Sequence, residues 1–142
     1  MEHTLRRFVR LRTGCGDERQ AAKEQGWRGA HFLMGLLEDL GAEAKLVVAV
    51  ENTNPVVFGR MMMDPSWLTV TICGHYDVCE ASEGGWNTDP YDVTAIDGYL
   101  YGRGVSDSKG PIISILFAIK VWEMPLIATV SSLSSVPPSC FC

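Results

Sequence analysis

Leu5, Phe8 and Val9 recur at helical spacing between polar residues, which predicts a short first helix running to about Leu11. A second stripe, Ala30, Leu33, Leu37 and Leu40 with Leu36 beside it, predicts a longer helix that Asp17 can cap and Gly41 stops. Gly26 and Gly29 fall inside it, each costing about 1 kcal/mol relative to alanine, so a break is expected there. The pattern then changes period. Residues 45–50 and 55–61 are short apolar runs around a polar, turn-forming cluster and read as two adjacent strands. Residues 67–73 form a β-branched run expected to be a third, buried strand. From Cys79 to Thr94 the chain is polar and reads as a loop across the mouth of a site, with a brief strand, Tyr99-Leu100-Tyr101, after it. Pro111 suits the first turn of a last helix through Ile112, Ile113, Ile115, Leu116 and Ile119, apolar on most faces and expected to be buried.

Chemistry concentrates at the end of the third strand and on a glycine-rich turn. His75 and Asp77, two apart on extended backbone, share one side, at the strand end where open α/β sheets carry their sites. By itself this is either a metal-site pair or an ordinary strand-end pair. The turn Gly102-Arg103-Gly104-Val105-Ser106-Asp107-Ser108-Lys109-Gly110 adds a further carboxylate, Asp107. It is not a phosphate cradle, because Lys109 is followed by glycine rather than Ser or Thr. Nor is it a dinucleotide fingerprint, because Asp107 stands where the third glycine belongs.

Three blocks, Gly74-His75-Tyr76-Asp77-Val78, Gly85-Trp86-Asn87-Thr88-Asp89-Pro90-Tyr91 and residues 97–111, resemble in order and spacing the di-zinc peptidases of the carnosinase, aminoacylase and glutamate-carboxypeptidase type. Within that family, Tyr76 and residues 54–60 look most like the peptidase subunit of the glutathione-degradation complex. The resemblance covers about residues 5–121. It implies an α/β fold, a partial doubly wound, mostly parallel sheet flanked by helices, with an antiparallel pair near the start and an open edge. It implies two zinc ions per complete site, with cobalt or manganese suited to similar ligands. His75 would ligate one ion, Asp107 would bridge both, and Asp77 would orient His75 by accepting its other ring N–H. Trp86 would shape the substrate pocket, and the Asp107–Ser108 peptide bond would be cis. The implied reaction is hydrolysis of small peptides, dipeptidase or amidase in type and placed in glutathione or dipeptide breakdown. The implied partners are a second copy of the chain or an amidotransferase-like subunit.

The family pattern also requires a pair of adjacent glutamates about thirty residues after the bridging aspartate, the first as general base. No acidic residue follows Glu123. The organisation expected is therefore residues 1–123 as the N-terminal half of a catalytic domain and residues 124–142 as a divergent, disordered Ser/Pro-rich tail. On that reading the family is enzymatic but these 142 residues, which hold no general base, are inactive alone. The alternative is a non-catalytic fragment that binds or pairs. Composition narrows the remaining classes. A net charge of −5 gives no basic field for nucleic acid, and Arg6, Arg7, Arg10 and Arg12 read as a solvated helix face. No run has membrane-spanning length. Five scattered cysteines indicate neither a disulfide framework nor a zinc ribbon, and a cytoplasmic location is expected.

Overall fold

The computed structural model describes residues 1–14, 20–48, 53–62, 64–121 and 128–131. Helix α1, Glu2–Arg10, buries the predicted face of Leu5, Phe8 and Val9. Helix α2, Gln20–Glu38, buries Ala30, Leu33 and Leu37. It ends as the sequence predicts: Gly41 takes φ +81°, and Ala42 N–H donates back to Leu37 O at 3.0 Å. The Asp17 cap lies outside the described residues.

The expected break in α2 does not occur. The glycines serve close approach instead. A Cβ on Gly26 would fall 1.8 Å from Asn54 Oδ1, and one on Gly29 would fall 2.5 Å from Thr13 Cγ2. The helical cost of two glycines is thus offset by letting α2 lie against the segments that lead to the site.

Strands β1, Glu43–Val47, and β2, Val56–Arg60, pair antiparallel with Glu43 opposite Arg60. Strand β3 is Val70–Cys73. It starts later than expected because residues 64–67 turn, with Trp67 N–H donating to Asp64 O at 3.2 Å and Ser66 N–H to the Asp64 carboxylate at 2.8 Å. Strands β4, Thr94–Ile96, and β5, Tyr99–Tyr101, form a hairpin around Asp97 and Gly98, both at positive φ. β4 was not anticipated, although Asp-Gly between alternating residues is a type I′ turn signal. Helix α3, Lys109–Val121, follows, and β6, Ala128–Ser131, completes the described residues.

The main sheet has the order β1-β2-β6-β3. This corrects two expectations. The sheet is mixed rather than mostly parallel: β2 and β6 run antiparallel, and only β3 and β6 run parallel. β6 also lies within the stretch read as a disordered tail. The other residues of that stretch lie outside the described residues. β3, paired on one side, is an edge strand among the described residues, so it is exposed rather than buried, with Val70 46 % and the preceding Leu68 91 % accessible. α3 likewise buries only one face, Ile112, Ile113 and Leu116, and leaves Val121 80 % accessible. One core joins the three helices and the sheet: Leu5, Phe8, Val9, Leu33, Leu37, Val57, Tyr76, Ile112 and Ile113. Phe8 stacks on Phe32 with ring centroids 5.3 Å apart.

Candidate metal centre

Beyond β3 the backbone stays extended, and the period of two sorts its side chains. Tyr76 and Val78 are buried, while His75 and Asp77 keep partial access to solvent. The buried pair is held from the N-terminal segment. Thr13 Oγ1 donates to Tyr76 O at 2.5 Å, and Val78 N–H donates to Thr13 O at 2.9 Å. The Tyr76 hydroxyl donates to Pro55 O at 2.7 Å, and burial, then the neighbouring Asp77 charge, pushes its pKa up, so it stays a neutral donor.

Asp107 arrives on the second segment. Val105 N–H donates to Gly102 O at 3.2 Å and Gly110 N–H to Gly104 O at 3.1 Å, closing a tight turn in which Gly104 has φ +83°. Asp107 sits at its tip, 73 % accessible, and the Asp107–Ser108 peptide bond is cis. Ser108 O accepts from Ile112 N–H at 3.0 Å and so begins α3. Lys109, next in the chain, is fully buried, which pushes its ammonium down to about 7 against the attraction of the Asp77 charge.

The two segments meet at His75. Its Nε2 lies 3.0 Å from Asp107 Oδ1. Its Nδ1 is hydrogen-bonded to the main-chain oxygen of Asp77 at 3.1 Å, with Asp77 Oδ1 at 3.2 Å. Asp77 therefore orients the ring chiefly through its carbonyl rather than its carboxylate. Its Oδ1 is buried without a hydrogen bond of its own, held next to the ring as a charge. Burial works against protonation of His75. The Asp107 hydrogen bond, the Asp77 carbonyl and the two carboxylate charges outweigh it, and the pKa is raised. Asp107 moves the other way, lowered by the Ser108 hydroxyl at 2.5 Å and then by His75.

A raised folded-state pKa means that protonated His75 stabilises the metal-free fold fully below its unfolded pKa of about 6.5, and that this is lost as pH rises through the folded value. NMR titration of metal-free protein is expected to give a His75 midpoint above that of an unfolded histidine, moving downward in Asp107→Asn. An unchanged midpoint in that variant would remove the Asp107 hydrogen bond from the account.

Trp86 is half-buried and does not reach the His75–Asp107 pair through any hydrogen bond. Its Nε1 donates to Glu83 Oε1 at 3.2 Å, and the Arg103 guanidinium, itself paired with Glu83, lies 5.1 Å from the ring centre. Arg103 N–H donates to Pro90 O at 2.6 Å, so this loop is fastened to the turn that carries Asp107. Sequence reading passed over Arg103, Thr13 and Lys109. For Lys109 a signal existed: a cation at the head of a helix whose next ten residues hold no other charge.

A nitrogen and an oxygen 3.0 Å apart can both reach one ion at the roughly 2.0–2.2 Å typical of zinc. His75 and Asp107 therefore fit a metal as two donors. Among the described residues no group of three or more His, Cys, Asp or Glu side chains is arranged to hold an ion, so the remainder of a four-donor shell is not found there. His3 and His31 lie on α1 and α2, apart from the pair.

These features define a class, a mixed α/β unit that delivers an imidazole and a carboxylate from two loops to one point. Comparison with known proteins gives the particular family. Residues 71–129 match peptidase family M20/M25/M40. The chain is 45 % identical over 70 residues to human Beta-Ala-His dipeptidase, covering 49 % of this chain and 14 % of that protein. It is 47 % identical over 68 residues to the Cys-Gly metallodipeptidase dug1 of Schizosaccharomyces pombe, covering 46 % of this chain and 14 % of that protein. The crystal structure of human carnosine dipeptidase 1 superposes with a TM-score of 0.85 at 28 % identity, over 94 % of this chain and 31 % of that one. Residues 71–129 thus carry the pattern of the M20 peptidase family, and the chain is homologous to that family's metallodipeptidases while spanning a minor part of the length of the relatives it matches.

Proposed function

We propose that the chain carries part of the metal centre of a di-zinc dipeptidase or amidase acting on small peptides, with His75 and Asp107 as ligands and Asp107 bridging two ions. The observation that carries this reading is the meeting of His75 Nε2 and Asp107 Oδ1 at 3.0 Å from segments 32 residues apart, in a chain of a metallopeptidase family. When bound, the ions supply Lewis acidity toward an amide carbonyl and activate water for attack on it. Asp77 holds the ring so that Nε2 faces Asp107. Because Nε2 must be unprotonated to ligate, and Asp107 favours its protonation, metal binding releases a proton and strengthens as pH rises through the His75 pKa. Trp86, held by Glu83 and Arg103, lines the approach for the peptide.

The names of the dipeptidases it resembles support β-Ala-His or Cys-Gly type substrates, and we propose with them a role in cytoplasmic glutathione or dipeptide breakdown. Pairing with a second copy or with an amidotransferase-like subunit belongs to the same reading. A second reading, a binding or pairing module without turnover, is favoured for these residues by the two-donor shell.

Zinc is expected to raise the thermal stability of the purified chain, by about 2.7 kcal/mol at a hundredfold excess over Kd, and His75→Ala is expected to abolish the rise. No rise in the wild-type chain would defeat the metal assignment. Release of product from Cys-Gly or β-Ala-His with added zinc would defeat the non-catalytic reading.

A further inference from the structure

We infer that α1 and the residues that follow it are the positioning frame of the metal centre, and that Lys109 is the positioning residue that sets Asp107. The inference rests on the metal-site reading above, although its structural half can be tested without metal.

Lys109 is fully buried, two residues after Asp107. Its Nζ donates to Phe8 O at 3.1 Å and Leu11 O at 2.6 Å and lies 5.0 Å from the centre of the Phe8 ring. Helix α1 ends at Arg10, so these are carbonyls of its C-terminal turn and exit, each of which also accepts one backbone N–H, Phe8 O from Leu11 at 3.2 Å and Leu11 O from Thr13 at 2.8 Å, and has its second lone pair free for the amine. An amine, charged or neutral, keeps at least two N–H donors, so both bonds survive either state. For packing alone an apolar side chain would serve better, since a buried amine is unfavourable unless its partners are fixed. What the lysine adds is a tie of fixed length between the turn of Asp107 and the end of α1.

The same stretch, α1 with the residues that follow it, holds the other segments. Thr13 brackets Asp77 through its bonds to Tyr76 O and Val78 N–H. Arg6 donates to Val93 O, Arg10 pairs with Asp92 at 3.0 Å, and the Arg12 guanidinium lies 4.4 Å from the Tyr91 ring centre. The arginines read from sequence as a solvated face thus fasten the loop that is bonded through Pro90 to Arg103. Helix α1 and the residues after it give no donor to the centre yet bond to both segments that do, through Phe8 and Leu11 on one side and Thr13 on the other. The Arg10 pair is solvent-exposed and weak. The Lys109 tie is buried, and it is the one that fixes the distance from Asp107 to His75.

The test compares the wild-type chain with Lys109→Met by two readouts. In metal-free protein at fixed pH, the ring-nitrogen NMR shifts of His75 report the Asp107 hydrogen bond. Expected in Lys109→Met is a changed His75 Nε2 signal with the methyl signals of Leu33 and Leu37 in place. Titration with cobalt(II), followed by its visible absorption, is expected to show binding about tenfold weaker or worse than wild type, as for loss of a group that supports a ligand. If Lys109→Met does not fold, Lys109→Gln, which keeps amide donors, takes its place. A folded variant with His75 signals and cobalt affinity as in wild type overturns the inference and leaves the metal reading standing. A wild-type chain that binds no cobalt, with His75 still displaced by the variant, overturns the metal reading and leaves Lys109 as the residue that sets Asp107.

Discussion

Gly110→Ala is expected to abolish cooperative folding of the chain, or to lower its stability by at least about 3 kcal/mol, the upper end for overpacked sites. The reason is local and geometric. A Cβ at position 110 falls 1.9 Å from Val105 O and 3.0 Å from Val105 C. Those are backbone atoms of the turn that carries Asp107, and they have no rotamer by which to yield. The same turn is closed by Gly110 N–H donating to Gly104 O, so residue 110 cannot retreat without opening it. Gly104 is constrained independently, at φ +83° with Val78 Cγ1 2.9 Å from where its Cβ would stand. Urea denaturation followed by far-UV circular dichroism checks the prediction. As a control, Gly84→Ala should change little, since nothing lies within 4 Å of the added methyl. A Gly110→Ala midpoint equal to wild type would mean that the turn is not closed in solution as described.

That glycine also shows where sequence reading succeeds and where it stops. The candidate residues were legible because their chemistry is local: His75 and Asp77 two apart at a strand end, and Asp107 on a glycine turn. Their meeting was not legible from spacing. It came only with the resemblance, because they stand 32 positions apart across a loop and a hairpin and no local period encodes that closure. The helical stripes of α1 and α2 were legible for the same local reason. The strand order β1-β2-β6-β3 was not, since the partner of β2 and β3 comes more than fifty residues after either. Gly26 and Gly29 misled because propensity counts the helical penalty and cannot see Asn54 and Thr13 waiting across the gap. Arg6, Arg10 and Arg12 misled likewise, since a charged helix face looks the same in sequence whether it meets water or a loop. Trp67 to Thr69 read as strand from their side chains, but Asp64 turns the backbone first.

Phe8→Ala is expected to cost about 3 to 5 kcal/mol, the range for truncating a buried aromatic, which is a large part of the 5 to 15 kcal/mol that holds a domain together. Phe8 is completely buried, stacked on Phe32 of α2 and under the Lys109 amine, so its ring fills the junction of all three helices. Alanine leaves a cavity there that rigid neighbours cannot close. Phe8→Leu, which keeps most of the volume, should cost much less. Arg10→Ala lies two residues on along the same helix and removes an exposed pair to Asp92, for which less than about 1 kcal/mol is expected. Denaturant midpoints of the three variants give the ordering. The loss in Phe8→Ala should also reach the centre, because the carbonyl of Phe8 is one of the two that hold Lys109, and through it the turn of Asp107. His75 ring signals should therefore shift in Phe8→Ala under conditions where it remains folded, and stay in place in Arg10→Ala. Equal midpoints for Phe8→Ala and Arg10→Ala would show that α1 does not pack as described, and would remove the frame on which the placing of both donors depends.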